Sequence, residues 1–474
     1  MIKQILNNRY SFHWTVFHIL LGVLSAMNKF AVIGWFFFVI ASEVDNLIGN
    51  NYKVNIKLNN VIIYLCAFEV WARMAKCSPF IPYELTKYML TALFLYGILL
   101  RYNRGLIGWL MVVLILPAMF YNLSDNDSNL ESLLFNAGGP INLALGVVYF
   151  KDQEINQQQL FNLIKLGLLP LISALVFAFV RTPDYDTIDF SLSANFDTSG
   201  GFGSNQVSTI LGLGLLLSFM LWITKSSLSG NKILDIIVMM GFVLQGLLTF
   251  SRGGMIGGAL GILTFLFLIS LSGVTQNTKN SISLPKITIY LIPILVLGLF
   301  VFQFVDSITG NNLSLRYKGE TAGTIAGSKE LDINTFTTNR YQIFLGDVEL
   351  WRENFLLGVG AGASKELRPT TEEVPTAAHV ELSRLLAEHG LFGLFFFLTI
   401  LVFPFLIISQ NKDSLNKAIL IAFFIIGLYT SFHAAMRTYV TPLFISMSLL
   451  TIRETPHKKK TKPYLDSVNL LDSQ

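Results

Sequence analysis

The chain has 474 residues, of which 53% are hydrophobic and only 14% charged, and its formal net charge is +4. With a mean hydropathy of +0.57, repeated apolar runs of spanning length exclude an ordinary soluble domain, and continuous rather than alternating runs exclude a transmembrane β-barrel. The modest positive charge comes partly from a basic tail, so nucleic acid is not an expected partner.

The composition predicts an all-α, polytopic transmembrane helical bundle of about 12–14 spans, each needing roughly 20 mainly apolar residues. They start near Ser11, Phe30, Asn59, Thr86, Gly105, Glu131, Leu160, Gln206, Ile233, Gly254, Ile287, Leu391, Lys417 and His433. Met1 to Asn28 has the look of a signal peptide, but many similar runs follow, so it reads as the first helix. Cys66 and Cys77 have no metal-like spacing and read as core residues. Residues 1–305 and 389–452 are assigned to transmembrane helices, 306–388 to one large extracytoplasmic loop, and 453–474 to a basic cytoplasmic tail.

Orientation follows from charge. Lys3 and Arg9, Arg101 and Arg104, Lys225 and Lys232, Lys279 and Lys286, Lys412 and Lys417, and the tail from Arg453 to Lys462 fall on one side of such a bundle. The positive-inside rule makes that side the cytoplasm, with both termini there. The intervening loops, "NLSDNDSNLE" and "TPDYDTIDFSLSANFDTSGGFGSN", are acidic or neutral.

On the outer side, "TFSRGG" places Arg252 at the end of a span, in a turn expected to need Gly253 and Gly254. A lone arginine there is most simply one that snorkels to the headgroups. Ser307 to Asn339 reads as irregular surface. "NRYQIFLGDVELWRENF" reads as an amphipathic helix with Phe344, Val348, Trp351 and Phe355 on its apolar face and Arg340 at its start. Gly358, Gly360 and Gly362 form a plain turn, since no strand–turn–helix unit surrounds them. "SKELRPTTEEVPTAA" reads as a flexible connector or lid. His379 then opens a helix on which Glu381, Arg384 and Glu388 form a ladder, expected to be a solvated face. His389 lies near the membrane and reads as packing, His433 as the opening of the last span. Glu69 and Arg73, at i and i+4, are the main intramembrane charges and can pair.

Arg252, Arg340 and His379 thus share the outer side. Two arginines suit a pyrophosphate or phosphate gripped by forked donors, and a neutral histidine can take a proton from a sugar hydroxyl. The rival reading, a lipid-linked oligosaccharide flippase, requires charges at mid-membrane and halves of related hydropathy, and no internal repeat is evident. A pure scaffold leaves the outer set unexplained.

From about Ser204 onward the sequence resembles the O-antigen ligase and polymerase superfamily of bacterial envelopes. The resemblance rests on "TFSRGG" after an apolar span, "NRYQIF" with its following Trp, "NFLLGVGAG" and "AAHVELSRLLAEHGLFGL". Val380 stands where that family often has Asn, and Leu357 where a Pro often precedes the turn. The resemblance implies a metal-independent glycosyltransferase without cofactor in the bacterial inner membrane. It implies transfer of a glycan from undecaprenyl pyrophosphate to a glycan or lipid A-core acceptor at the periplasmic face, in lipopolysaccharide or polysaccharide biosynthesis. It also implies that Arg252 and Arg340 hold the pyrophosphate and that His379 activates the acceptor hydroxyl.

Overall fold

The computed structural model describes residues 1–47, 53–101, 105–123, 130–275, 284–369 and 378–453. It is an all-α, multi-pass membrane bundle. Among the described residues, eight helices are long and apolar enough to cross a membrane, and three shorter apolar ones, Phe30–Val44, Leu85–Leu100 and Leu106–Met119, accompany them. Leu291–Ile308 has almost no fully buried residue, and Ile292, Leu295, Val296, Leu299 and Phe300 are exposed, as suits a lipid-facing span. Cys66 and Cys77 are free and buried, as the sequence suggested.

Local chemistry fixes where the helices begin. Asn156 and Gln159 form a capping box that opens Gln157–Arg181. Asn231 accepts from the backbone of Ile233 and Leu234 at the start of Lys232–Leu248, and Asp413 from that of Asn416 at the start of Ser414–His433. A two-stranded parallel ladder joins Glu154–Asn156 to Thr451–Arg453, and Asn411 bonds to Leu450 and Ile452. Three polar connections are thereby tied together at one end of the bundle.

Two expected spans take another form. The run from Asn59 is broken at Ala67 into Lys53–Cys66 and Phe68–Met74. His433 ends a helix rather than opening one. The chain then runs without helix through Ala434 to Tyr439, with Ala435 at φ 51°, before the eight-residue Val440–Met447. A hydropathy window cannot see this, because the buried segment is apolar whether or not it is helical.

The glycines after Arg252 are in the helix Arg252–Thr275, not in the turn that precedes it; the turn is made by Phe250 at φ 53°. They serve close packing instead. A Cβ on Gly254 would lie 2.1 Å from the Ser208 carbonyl carbon, and one on Gly212 2.0 Å from the Gly254 oxygen. Two helices therefore touch backbone to backbone, as small residues permit in membranes. On the other side a Cβ on Gly253 would come within 2.5 Å of the His433 ring. Arg252 is held where three helices meet.

The large loop is more ordered than its composition suggested. Asn312–Lys318, Ala322–Ile325 and Ile333–Thr337 are short helices, the latter two opened by capping boxes at Thr321 and Asp332. The amphipathic helix is Arg340–Glu353, but its buried stripe is Ile343, Gly346, Asp347 and Leu350. Phe344 and Val348 are half-buried and Phe355 is exposed. The expected stripe was displaced because a buried carboxylate, not an apolar side chain, anchors this helix. Asp347 pairs with Arg368 at 2.7 Å and accepts from the Ser383 hydroxyl at 2.6 Å.

Candidate active site

Three helices bring cations to one cavity of about 400 Å³. Arg252 and Arg340 are the first residues of their helices, and Arg316 comes from Asn312–Lys318. The N-terminal turns of Ser204–Ile223, Arg252–Thr275 and Arg340–Glu353 all border it through Asn205, Arg252 and Arg340. Their partial positive ends add to the guanidinium charges. With Lys329, four cations line the cavity, and among the described residues no Asp or Glu does.

The arginines are only partly satisfied. Arg252 Nη2 donates to the Phe336 carbonyl at 2.5 Å and to Thr338 Oγ1 at 3.4 Å, and its guanidinium lies 5.1 Å from the Phe336 ring centroid. Its Nη1 is buried without a partner, and so is Nε of Arg340. Arg316, 5% exposed, donates to the Phe250 carbonyl at 3.4 Å. Burial, with Arg252 and Arg340 beside it, pushes Arg316 down to about 10. Burial lowers Arg340 as well; Arg252 and Arg437 push the same way and Tyr429 opposes them. A buried donor with no acceptor is costly, and two in one cationic cavity mark a place suited to an anion.

His379 stands at the edge of this group. Its carbonyl accepts from the Ala435 N–H at 3.0 Å, and Arg437 donates to the adjacent Ala378 carbonyl at 3.0 Å. The Arg437 carbonyl is itself held by Arg73, which pairs with Glu69 at 2.9 Å as expected. The imidazole Nδ1 is buried and unpartnered. Burial first, then the charges of Arg437, Arg340 and His433, push its pKa down to about 3, so it is neutral in the physiological range. His433 Nε2 lies 3.0 Å from Thr209 Oγ1.

The Gly358–Gly362 segment is indeed a turn, with positive φ at all three glycines. It caps a half-helix. Glu381–Ile408 is broken at Gly390, and Val359 and Gly360 N–H groups donate to the Ala387 and Glu388 carbonyls there. The Glu381–Arg384–Glu388 ladder forms, but it is buried rather than solvated: the three residues are 0%, 8% and 1% exposed. Arg384 bonds to both carboxylates, and Glu381 also accepts from the Met436 N–H at 3.1 Å. His389 is deep inside, 2% exposed. The connector begins with the short helix Ser364–Leu367 and the buried Arg368; residues 370–377, with Glu372 and Glu373, lie outside the described residues, as does the tail after Arg453.

Arg252 and Arg340 thus line one cavity, and His379 is near enough to Arg340 to feel its charge. Arg316, Arg437 and His433 were not singled out in the sequence. Arg316 lay in a stretch read as irregular, and Arg437 inside an apparent last span. An arginine in an apolar run was the one available signal for it.

A protein-family profile described as O-antigen ligase matches residues 236–398, which include Arg252, Arg340 and His379. No curated protein matches the chain. Over those residues, about a third of its length, the chain is similar to O-antigen ligases.

Proposed function

We propose that the chain transfers a glycan from undecaprenyl pyrophosphate to a sugar hydroxyl at the periplasmic face of the inner membrane. The observation that carries this is the cavity of four cations without a carboxylate. Arg252 and Arg340, with Arg316, hold the pyrophosphate through charge-assisted bonds that only an anion can complete. The acceptor hydroxyl oxygen attacks the anomeric carbon of the donor sugar. The bond from that carbon to the pyrophosphate oxygen breaks, and the electron pair leaves with undecaprenyl pyrophosphate, its charge held by the arginines. The hydroxyl proton passes to the neutral His379 imidazole and from there to solvent. No metal ion is needed for leaving-group stabilisation in this scheme.

The test is donor photo-crosslinking and transfer by purified variants, run with and without EDTA. His379→Ala should retain crosslinking and lose transfer by about 10²–10⁴-fold, the usual worth of acid–base help. Arg252→Ala should lose both. Full transfer by His379→Ala, or strict dependence on a divalent ion, overturns the role of this histidine. Loss of the gene distinguishes the two acceptors. One repeat on the core indicates a polymerase, whereas bare core with accumulating lipid-linked polymer indicates a ligase.

A further inference from the structure

A second cavity, of about 370 Å³, has in its wall Ala378, the residue before His379. Lys87, Asn136, Glu381, Arg384, Glu388 and Arg437 line it. Arg437 and Ala378 are in its wall, while Arg340 is in the wall of the first cavity. His379 follows Ala378 directly, and its carbonyl accepts from the N–H of Ala435, another residue of the second cavity's wall, so its backbone borders that cavity.

The two cavities differ in electrostatics. In the first, no carboxylate among the described residues lines the wall with the cations. In the second, Arg384 is paired with Glu381 and Glu388, and Lys87 with Glu84 at 2.7 Å. An added phosphate would meet two buried carboxylates there. A neutral ligand with many hydroxyls fits instead, because paired ions keep free capacity for hydrogen bonds. A carboxylate offers about four lone-pair sites, of which Glu381 uses three, two with Arg384 and one with the Met436 N–H. Arg437 spends one donor on Ala378. Phe135 and Met436 supply apolar surface at the rim. The volume is within the ~300–1,000 Å³ of small-molecule sites.

We propose that this second cavity binds the terminal sugar of the acceptor glycan, a neutral polyhydroxylated ring, and presents one of its hydroxyls to His379. The assignment rests on His379 as the base and gives donor and acceptor separate chambers.

The test uses two single-cysteine reporters on full-length protein in nanodiscs: Lys365→Cys at the mouth of the second cavity and Ala322→Cys at the first. Both positions are exposed, whereas Cys66 and Cys77 are buried and give little background. The probes are inorganic pyrophosphate and the oligosaccharide released by mild acid from the host's own surface glycan. The oligosaccharide should slow maleimide labelling at 365 saturably and leave 322 unchanged; pyrophosphate should do the reverse. Asn136→Ala should raise the oligosaccharide concentration for half-protection by ~10-fold, the equivalent of about 1.4 kcal/mol, and leave pyrophosphate protection intact. No oligosaccharide protection at 365, or equal protection at both positions, overturns the proposal. Protection at 365 without pyrophosphate protection at 322 would sink the donor site and leave this one standing.

Discussion

Arg340→Ala tests whether the arginine cluster is built for a ligand or for the fold, because the two accounts predict opposite signs for stability. Arg340 is the first residue of its helix, its Nε is buried without a partner, and Arg252 and Arg437 both disfavour its charge. In the ligand-free protein its removal relieves repulsion and deletes an unsatisfied buried donor. The variant should therefore unfold at a temperature equal to or above that of the wild type. Donor binding should fall. At least one charge-assisted hydrogen bond, that from Nε, is lost, and such a bond is worth about 1.5–3 kcal/mol. At 1.4 kcal/mol per decade this is roughly 10–150-fold in affinity for the lipid-linked donor. Arg340→Lys keeps the charge but not the fork, and should recover only part of the loss. The assays are thermal unfolding in detergent and donor titration by photo-crosslinking. A lowered unfolding temperature with unchanged donor affinity would make Arg340 a structural arginine and remove it from the site.

Gly254→Ala should push apart two helices now in backbone contact, since the added Cβ would lie 2.2 Å from the Ser208 oxygen. The overpacking cost of about 1–3 kcal/mol should appear as a lower unfolding temperature, and donor affinity should fall with it because Arg252 is two residues away; normal stability refutes the packing account. In wild-type protein the acidic limb of kcat/KM, which reports the free enzyme, should be absent near pH 6.5, because His379 stays neutral until about pH 3. Arg437 helps depress that histidine, so Arg437→Gln should move the limb upward towards the ordinary histidine value, and a limb left in place would refute the coupling. Cysteines placed within residues 191–199 should react with a thiol reagent that cannot cross the inner membrane, while cysteines within residues 226–231 should not; the opposite pattern inverts the orientation.

The bundle was legible because apolar runs of spanning length have few other uses. What sequence alone missed is where burial and polarity part company. Glu381, Arg384 and Glu388 have the spacing of a solvated ladder, and only the tertiary fold shows that Met436, Asn136 and Ser364 enclose them. Asp347 shifted the buried face of its helix because its partner, Arg368, lies 21 residues away and pairing at that range leaves no periodic trace. Arg252, Arg340 and His379 were singled out by residue type and by resemblance. Arg316 was missed because a short helix between glycines and asparagines looks, in composition, like a surface loop.

The arrangement of charge also couples the donor site to the base. Elsewhere among the described residues, buried ions form pairs: Asp347 with Arg368, Arg384 with Glu381 and Glu388, Arg73 with Glu69. The arginine cavity departs from that pattern; burial is the main cause of the low basicity of His379, and Arg437 and Arg340 add to it. In the proposed reaction a bound pyrophosphate supplies the missing acceptors to Arg252 and Arg340 and offsets the share of that depression that Arg340 contributes, so the imidazole is a stronger base with the donor in place than without it.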